Sequence, residues 1–238
     1  MINLVERSLQ KELLDADNIP FSDIQQNMKE LNLVNTRLGG HNISISAVKT
    51  LLAQRKSETP AICEIGCGGG DNLAAIAKWC RKNEIKACFI GVDIKEECIA
   101  FSHQQYPEIP ASWIVSDFRH VTFTEKPAII FSSLFCHHFK DDEIVSMLQW
   151  MKQNCTEGFF INDLHRHPLA YQFIKKMTAL FSKSYLVKND APLSVARGFK
   201  KLEWKALFSR AGIDNYSIKW KWAFRYLIIC PQYGPKQI

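Results

Sequence analysis

Ala61-Ile62-Cys63-Glu64-Ile65-Gly66-Cys67-Gly68-Gly69-Gly70-Asp71 is the stretch that decides the fold of this chain. The apolar residues before Glu64 suit a central parallel strand, covered on both faces. The glycines supply backbone angles that other residues avoid, and they leave no side chain between the main chain and a ligand. Asp71 stands where it can cap the amphipathic run Asn72–Arg81, whose unpaired N–H groups face the same crevice. Spacing then narrows the ligand. A dinucleotide fingerprint, G-x-G-x-x-G/A, needs a small residue at its last place and seats a pyrophosphate on the helix N-terminus. Counted from Gly66, that place is Asp71, a poor neighbour for a pyrophosphate.

The segments on either side repeat the alternation of strand and helix. Ala87–Val92 is an apolar run closing on Asp93, an acid able to accept from both hydroxyls of a ribose. Trp113–Val115 leads to Ser116-Asp117-Phe118, Ala128–Ser133 reads as a fourth strand, and Gly158–Asn162 as a fifth. Helical patterns at Glu96–Gln104 and Asp141–Lys152 separate them. This order predicts an α/β fold with a largely parallel sheet. Sheets of this kind bind ligands beyond the carboxyl ends of their strands. Glu64, Asp93, Asp117, the Phe135–Phe139 loop and Asp163 share that edge.

Helical spacing continues at Ala170–Ser182 and Phe199–Ala211, the latter closing at Gly212. Ser217–Trp222 and Arg225–Cys230 then read as a final antiparallel pair. The alternation in Lys219-Trp220-Lys221-Trp222 is that of a strand with one face buried. Ahead of the glycine loop, Leu4–Leu14, Phe21–Arg37 and Ile43–Gln54 carry helical patterns, Gly39-Gly40 stops the second, and Arg55–Pro60 is a linker. The chain therefore divides into an N-terminal helical cap, residues 1–57, and a core, residues 58–238.

Composition sets the outer limits. With 238 residues and 47% hydrophobic content, the chain builds one core and is not a disordered protein. No apolar stretch has the length of a membrane span, and the N-terminus lacks the pattern of a signal peptide. The eight cysteines form no C-x-x-C pair, which fits a reduced, cytoplasmic protein. The net charge of +6 is spread over many elements (Lys78, Lys95, Lys152, Lys201), without the cluster of a nucleic-acid surface. No metal is expected, because no third ligand stands at a recognisable spacing from the adjacent His137 and His138.

The order acid-x-G-x-G-x-G, followed by Asp93 and Asp117 at successive strand ends, resembles the class I S-adenosylmethionine (SAM) methyltransferases. That resemblance implies a Rossmann-like, seven-stranded, mostly parallel sheet with helices on both faces. It implies SAM as cofactor, held by Glu64, Gly66, Cys67, Gly68, Gly70, Asp93, Ile94, Asp117, Phe118 and Ser133. In the family Ile94 would lie against the adenine, Asp117 would hold its amino group and Phe118 would close over the ring. Glu64 departs from the commoner aspartate but keeps the charge. SAM has no phosphate and carries a sulfonium and an ammonium, so acids around the loop suit it.

The acceptor is read from the turn after the fourth strand. Ser132-Ser133-Leu134-Phe135-Cys136-His137-His138-Phe139 is not the polar-Pro-Pro-aromatic turn of amino-directed enzymes. It resembles the turn of small-molecule methyltransferases of quinone biosynthesis. Glu12-Leu-Leu-Asp-Ala-Asp-Asn-Ile-Pro20, the Leu31–Gly40 helix end, Asn162–Arg166, the Asp190…Ser194…Arg197…Phe199 run and Phe224-Arg225-Tyr226 add a similarity to bacterial methyltransferases found with type III polyketide synthases. These act on alkylated phenolic products.

A phenol with a pKa of about 10 is mostly neutral at pH 7, so a base helps. His137 or His165 is the expected base. Neighbours on an extended loop point oppositely, so only one of the adjacent histidines should face the pocket. Phe135, His138, Arg166, Arg197 and Trp222 are the expected substrate contacts, with Phe139, Phe173, Met177 and Phe181 as further apolar wall. Carbon methylation of a quinone precursor, an RNA-directed methyltransferase and a non-catalytic SAM-binding protein stand as alternatives. Oligomeric state is not legible.

Overall fold

Five short apolar runs, each ending near a polar or acidic residue, become the parallel strands β1 (Ala61–Ile65), β2 (Cys88–Asp93), β3 (Ala111–Val115), β4 (Ile129–Ser133) and β5 (Gly158–Leu164). In the computed structural model, which describes residues 3–16, 18–53 and 57–232, they join β6 (Ser217–Lys221) and β7 (Arg225–Pro231) in one seven-stranded sheet. The order is β3-β2-β1-β4-β5-β7-β6. β1 pairs in parallel with both β2 and β4, whereas β7 runs antiparallel to β5 and β6. The expected Rossmann-like fold is therefore present.

Among the described residues, eight α-helices accompany the sheet: α1 (Phe21–Arg37), α2 (Gly40–Leu52), α3 (Asp71–Lys82), α4 (Glu96–Gln105), α5 (Asp141–Asn154), α6 (Pro168–Phe181), α7 (Tyr185–Arg197) and α8 (Lys201–Arg210). Alternation along the strands splits the core in two. Ile62, Phe131 and Phe160 meet Val48, Leu51, Leu73 and Ile76 of α2 and α3. Ile65, Ile130 and Ile161 meet Met147, Leu148 and Met151 of α5, and Trp204 and Phe208 of α8. Truncating one such buried side chain to alanine typically costs about 2–5 kcal/mol.

Three expectations need correction. Leu4–Leu14 is not a helix: its residues form no regular element before the single 3-10 turn at Leu13–Asp15. The strap is held by contacts from outside itself, Ser8 N–H donating to Ala196 O and the N–H groups of Leu13 and Leu14 to the Asp190 carboxylate. Its apolar spacing buries little, with Val5 and Leu9 exposed. α7 was not expected, because Pro192 lies inside it and removes a backbone donor. α2 is no part of a separate cap, since its Ile43, Ala47, Val48, Leu51 and Leu52 belong to the sheet's own core. Gln54, where that helix was expected to end, and Arg55 and Lys56 of the linker lie outside the described residues.

Candidate active site

The carboxyl ends of the strands open into one cavity of about 900 Å³. Its floor is the glycine loop after β1. Gly66, Gly68 and Gly70 all take positive φ, at 64°, 50° and 75°. Their neighbours differ. A side-chain carbon on Gly66 would fall 2.1 Å from Phe135 Cδ2, whereas one on Gly68 would meet only Met28 Sδ at 3.5 Å. Gly70 does not line the cavity: it stands at the N-cap of α3, with Trp113 packed where its side chain would be. Asp71 is accordingly the first helical residue rather than the cap. Its carboxylate accepts from His41 Nε2 at 2.7 Å and Asn35 Nδ2 at 3.0 Å.

Asp93 accepts from Gly68 N–H at 2.8 Å and Lys95 N–H at 2.9 Å, so the ends of β1 and β2 are tied together at the cavity. Burial pushes its carboxyl up, against the pull of those two donors. Glu64 is only 1% exposed, and its Oε2 has no hydrogen-bond partner. Burial, with Asp71 and Asp93 nearby, holds it well above the ordinary carboxylate range. Asp117 lies below its ordinary value, chiefly because the Arg119 side chain donates to it. Ile94, 68% exposed, lines the wall, and Phe118 reaches the cavity while its ring packs edge-on against Phe135, Phe139 and Trp150. Cys67 and Ser133 also line it, the Ser133 hydroxyl without a partner.

Three acids around bare main chain, one carrying an orphaned oxygen, disfavour a pyrophosphate and fit a cationic ligand. Arg225 completes that description. It lies in the cavity wall, with Nη2 donating to Asn35 Oδ1 at 2.8 Å and Nη1 buried without a partner. Burial lowers its pKa to about 10. Such a group suits the carboxylate of an amino acid moiety.

The opposite end is built by the turn after β4. It is a 3-10 turn, Cys136–His138, not an extended loop, and it turns both histidine rings to the cavity, 4.5 Å apart. The expectation that only one faces inward is thus corrected. His137 Nδ1 donates to Asp163 Oδ1 at 2.8 Å and His138 Nδ1 to Asp15 Oδ1 at 3.1 Å. Burial pushes the Asp163 carboxyl up, but the paired His137 ring, the Leu164 N–H and His138 together hold the group below its usual range. Glu12, from the N-terminal strap, faces both rings, and burial raises its carboxyl. No sequence signal placed Glu12 here, since it was assigned to a helix that does not form.

Besides Gly70, two further expected site residues lie elsewhere. His165 is outside the cavity lining, its ring among Tyr226, His167 and Phe224, and burial lowers its pKa. Arg166 is also outside it, 1% exposed, donating to Glu203 and to the carbonyls of Leu4, Val5 and Gly198. The strap needs those donors, so Arg166 binds the fold and not a substrate. Arg197 lines the cavity, but its guanidinium donates to His137 O at 2.9 Å and Gln10 O at 2.6 Å, which makes it a brace for the turn. Phe135, Phe139, Phe173 and Trp222 do line the cavity; Met177 and Phe181 do not. Trp220 and Trp222 are not buried on one face of a strand: both stand exposed at the rim. α1 roofs the site, with Met28, Leu31 and Asn35 in its lining.

Residues 62–158 match a family described as "Methyltransferase domain". No curated protein matches the chain significantly. Among solved structures, it is similar to magnesium protoporphyrin IX methyltransferase from Synechocystis PCC 6803 with bound SAH, at 16% identity and a TM-score of 0.56, covering 92% of this chain and 90% of that one. The plantazolicin methyltransferase BpumL in complex with SAH gives 15% identity and 0.61, over 87% and 98%. Human N-acetylserotonin methyltransferase in complex with SAM gives 16% and 0.62, over 90% and 57%. The similarity to a methyltransferase domain thus spans residues 62–158, set in a chain that shares the fold of these solved methyltransferases.

Proposed function

We propose that this chain transfers the methyl group of SAM to a small, apolar, phenolic hydroxyl. The observation that carries the reading is the division of one cavity into a cationic-ligand end and a histidine end. At the first, Gly66–Gly69 lie open to the ligand, Asp93 takes the ribose hydroxyls, Asp117 and Phe118 receive the adenine, and Arg225 holds the methionine carboxylate. Structural relatives holding SAM or SAH support this assignment.

At the second end stand Glu12, His137 and His138, where the acceptor oxygen is placed and loses its proton. His137 stands at that oxygen and His165 does not, because only His137 lines the cavity. The protein's part is orientation: SAM brings the activated methyl group, and a well-aligned acceptor gains a large effective molarity. Phe173, Trp220 and Trp222 make the mouth apolar and partly exposed, which suits an alkyl chain on the acceptor. The relatives named for protoporphyrin, plantazolicin and N-acetylserotonin support a small organic acceptor. A volume of about 900 Å³ is at the upper end of small-molecule sites, about 300–1,000 Å³, and leaves room for two ligands.

Incubation with methyl-labelled SAM and a panel of alkylated phenols tests the reading. Label in a phenolic ether is expected, and His137→Ala should slow its formation while leaving SAM affinity unchanged. Label on ring carbon, or on RNA and on no phenol, would replace it.

A further inference from the structure

Three side chains from two distant segments converge at the acceptor end. Glu12 Oε1 lies 3.6 Å from His137 Nε2, and Glu12 Oε2 lies 3.8 Å from His138 Nε2. The ligand atoms of all three residues lie within 4.8 Å of one another. The two carboxylate–imidazole separations are too long for hydrogen bonds, which end near about 3.2 Å. They are close to the donor–donor edge of about 3.4 Å around a tetrahedral ion with ligands at about 2.0–2.1 Å.

The outer contacts have the matching form. Each imidazole gives its Nδ1–H to a carboxylate, His137 to Asp163 and His138 to Asp15. Both rings therefore turn an Nε2 lone pair towards Glu12. Carboxylates orient metal-bound histidines in this way. Glu12 is fixed in turn by Ser194 Oγ, which donates to Oε1 at 2.7 Å, and the following N–H groups are clamped by Asp190. The nearby cation, Arg197, is engaged by the carbonyls of His137 and Gln10 and by Asp15 at 3.7 Å.

We propose that Glu12, His137 and His138 hold a divalent transition-metal ion, with a further position open to the acceptor. Two imidazoles and one carboxylate are donors for zinc, manganese or ferrous iron. All three residues line the cavity, so the open position faces it. The sequence expectation of no metal rested on a missing third ligand, and Glu12 supplies it from the strap. Resting on the methyl-transfer reading, the ion binds the acceptor oxygen and the O–H proton passes to solvent. The new O–CH₃ bond forms as the sulfonium S–CH₃ bond breaks, and S-adenosylhomocysteine leaves as a neutral thioether. His137 then acts as a ligand, and the ion acidifies the phenol.

The full chain, stripped with a chelator and titrated with Co(II), should bind one equivalent and develop visible absorption. Glu12→Gln and His138→Ala should each weaken that affinity at least ten-fold. Asp15→Asn, which removes only an orienting carboxylate, should weaken it about ten-fold. Should a variant fail to fold, the wild-type protein still decides the matter, through Co(II)-shifted NMR signals from two imidazole N–H protons. Wild type that binds SAM yet takes up no Co(II), or uptake indifferent to Glu12→Gln and His138→Ala, overturns the metal site and leaves methyl transfer standing. Co(II) bound at this site with no affinity for SAM supports the metal site and overturns the cofactor reading instead.

Discussion

Phe135 occupies the space that a side chain on Gly66 would need: an ideal Cβ there falls 2.1 Å from Phe135 Cδ2. The loop after β1 and the turn after β4 are thereby fitted to each other, and one glycine sets the distance between the cofactor floor and the histidine turn. Gly66→Ala combines strain at a φ of 64°, about 1–3 kcal/mol, with overpacking of about 1–3 kcal/mol. Denaturant unfolding should show both losses. Adding Phe135→Ala should recover the overpacking part and leave the strain. A Gly66→Ala protein as stable as wild type would contradict this fit.

Glu64 offers a prediction with a sign. Burial first, then Asp71 and Asp93, raises its carboxyl above the ordinary range. A folded-state value above the unfolded one gives stability that is present at low pH and is lost as pH rises through the folded value. Glu64→Gln removes that loss, because an amide cannot ionise in the same buried place. Its Tm at neutral and alkaline pH should exceed that of wild type by several degrees, at about 2–4 °C per kcal/mol. The slope of stability with pH should flatten, while SAM affinity falls. A lower Tm across that pH range would count against the charge assignment.

Arg225 makes a chemical distinction testable. With Nη1 buried and unpartnered, it is assigned to the methionine carboxylate, and a charge-assisted hydrogen bond contributes about 1.5–3 kcal/mol. Arg225→Met should therefore raise the Kd for SAM by roughly 10- to 150-fold. For decarboxylated SAM the same substitution should change little. Equal losses for both ligands would move Arg225 away from the carboxylate.

Arg166 should behave as part of the fold. It joins the strap to Glu203 and Gly198 in a buried setting. The Glu203 side chain is a third exposed, so the loss falls mainly on the buried carbonyls left without a donor, about 1–3 kcal/mol each. Arg166→Ala should lower Tm sharply, and the fraction that remains folded should keep its KM for the acceptor. A raised KM with unchanged Tm would restore the substrate role.

Local chemistry accounts for what the sequence made legible. β1 through β5, α3 and the acids at the strand ends announce themselves because each lies within a few residues of its own turn or apolar run. α1 is legible to the residue, Phe21–Arg37, because Ile24, Met28 and Leu31 repeat at helical spacing and Gly39-Gly40 ends it. Glu12 was hidden because long-range backbone contacts hold its strap. α7 was hidden by Pro192. His137 and His138 were half-read, since an extended loop and a 3-10 turn share one sequence but aim side chains differently. Arg166 and Arg197 show the limit of residue type alone: an arginine beside a site binds substrate or backbone according to which carbonyls the chain brings to it.

Titration calorimetry of the folded protein with SAM, S-adenosylhomocysteine and NAD tests whether carboxylates and open main chain at β1 and β2 receive an adenosyl sulfonium. One equivalent of SAM and of its demethylated product should bind, NAD should not, and Asp93→Ala should raise the Kd for SAM at least ten-fold. Binding of NAD without SAM, or SAM affinity unchanged in Asp93→Ala, would contradict it.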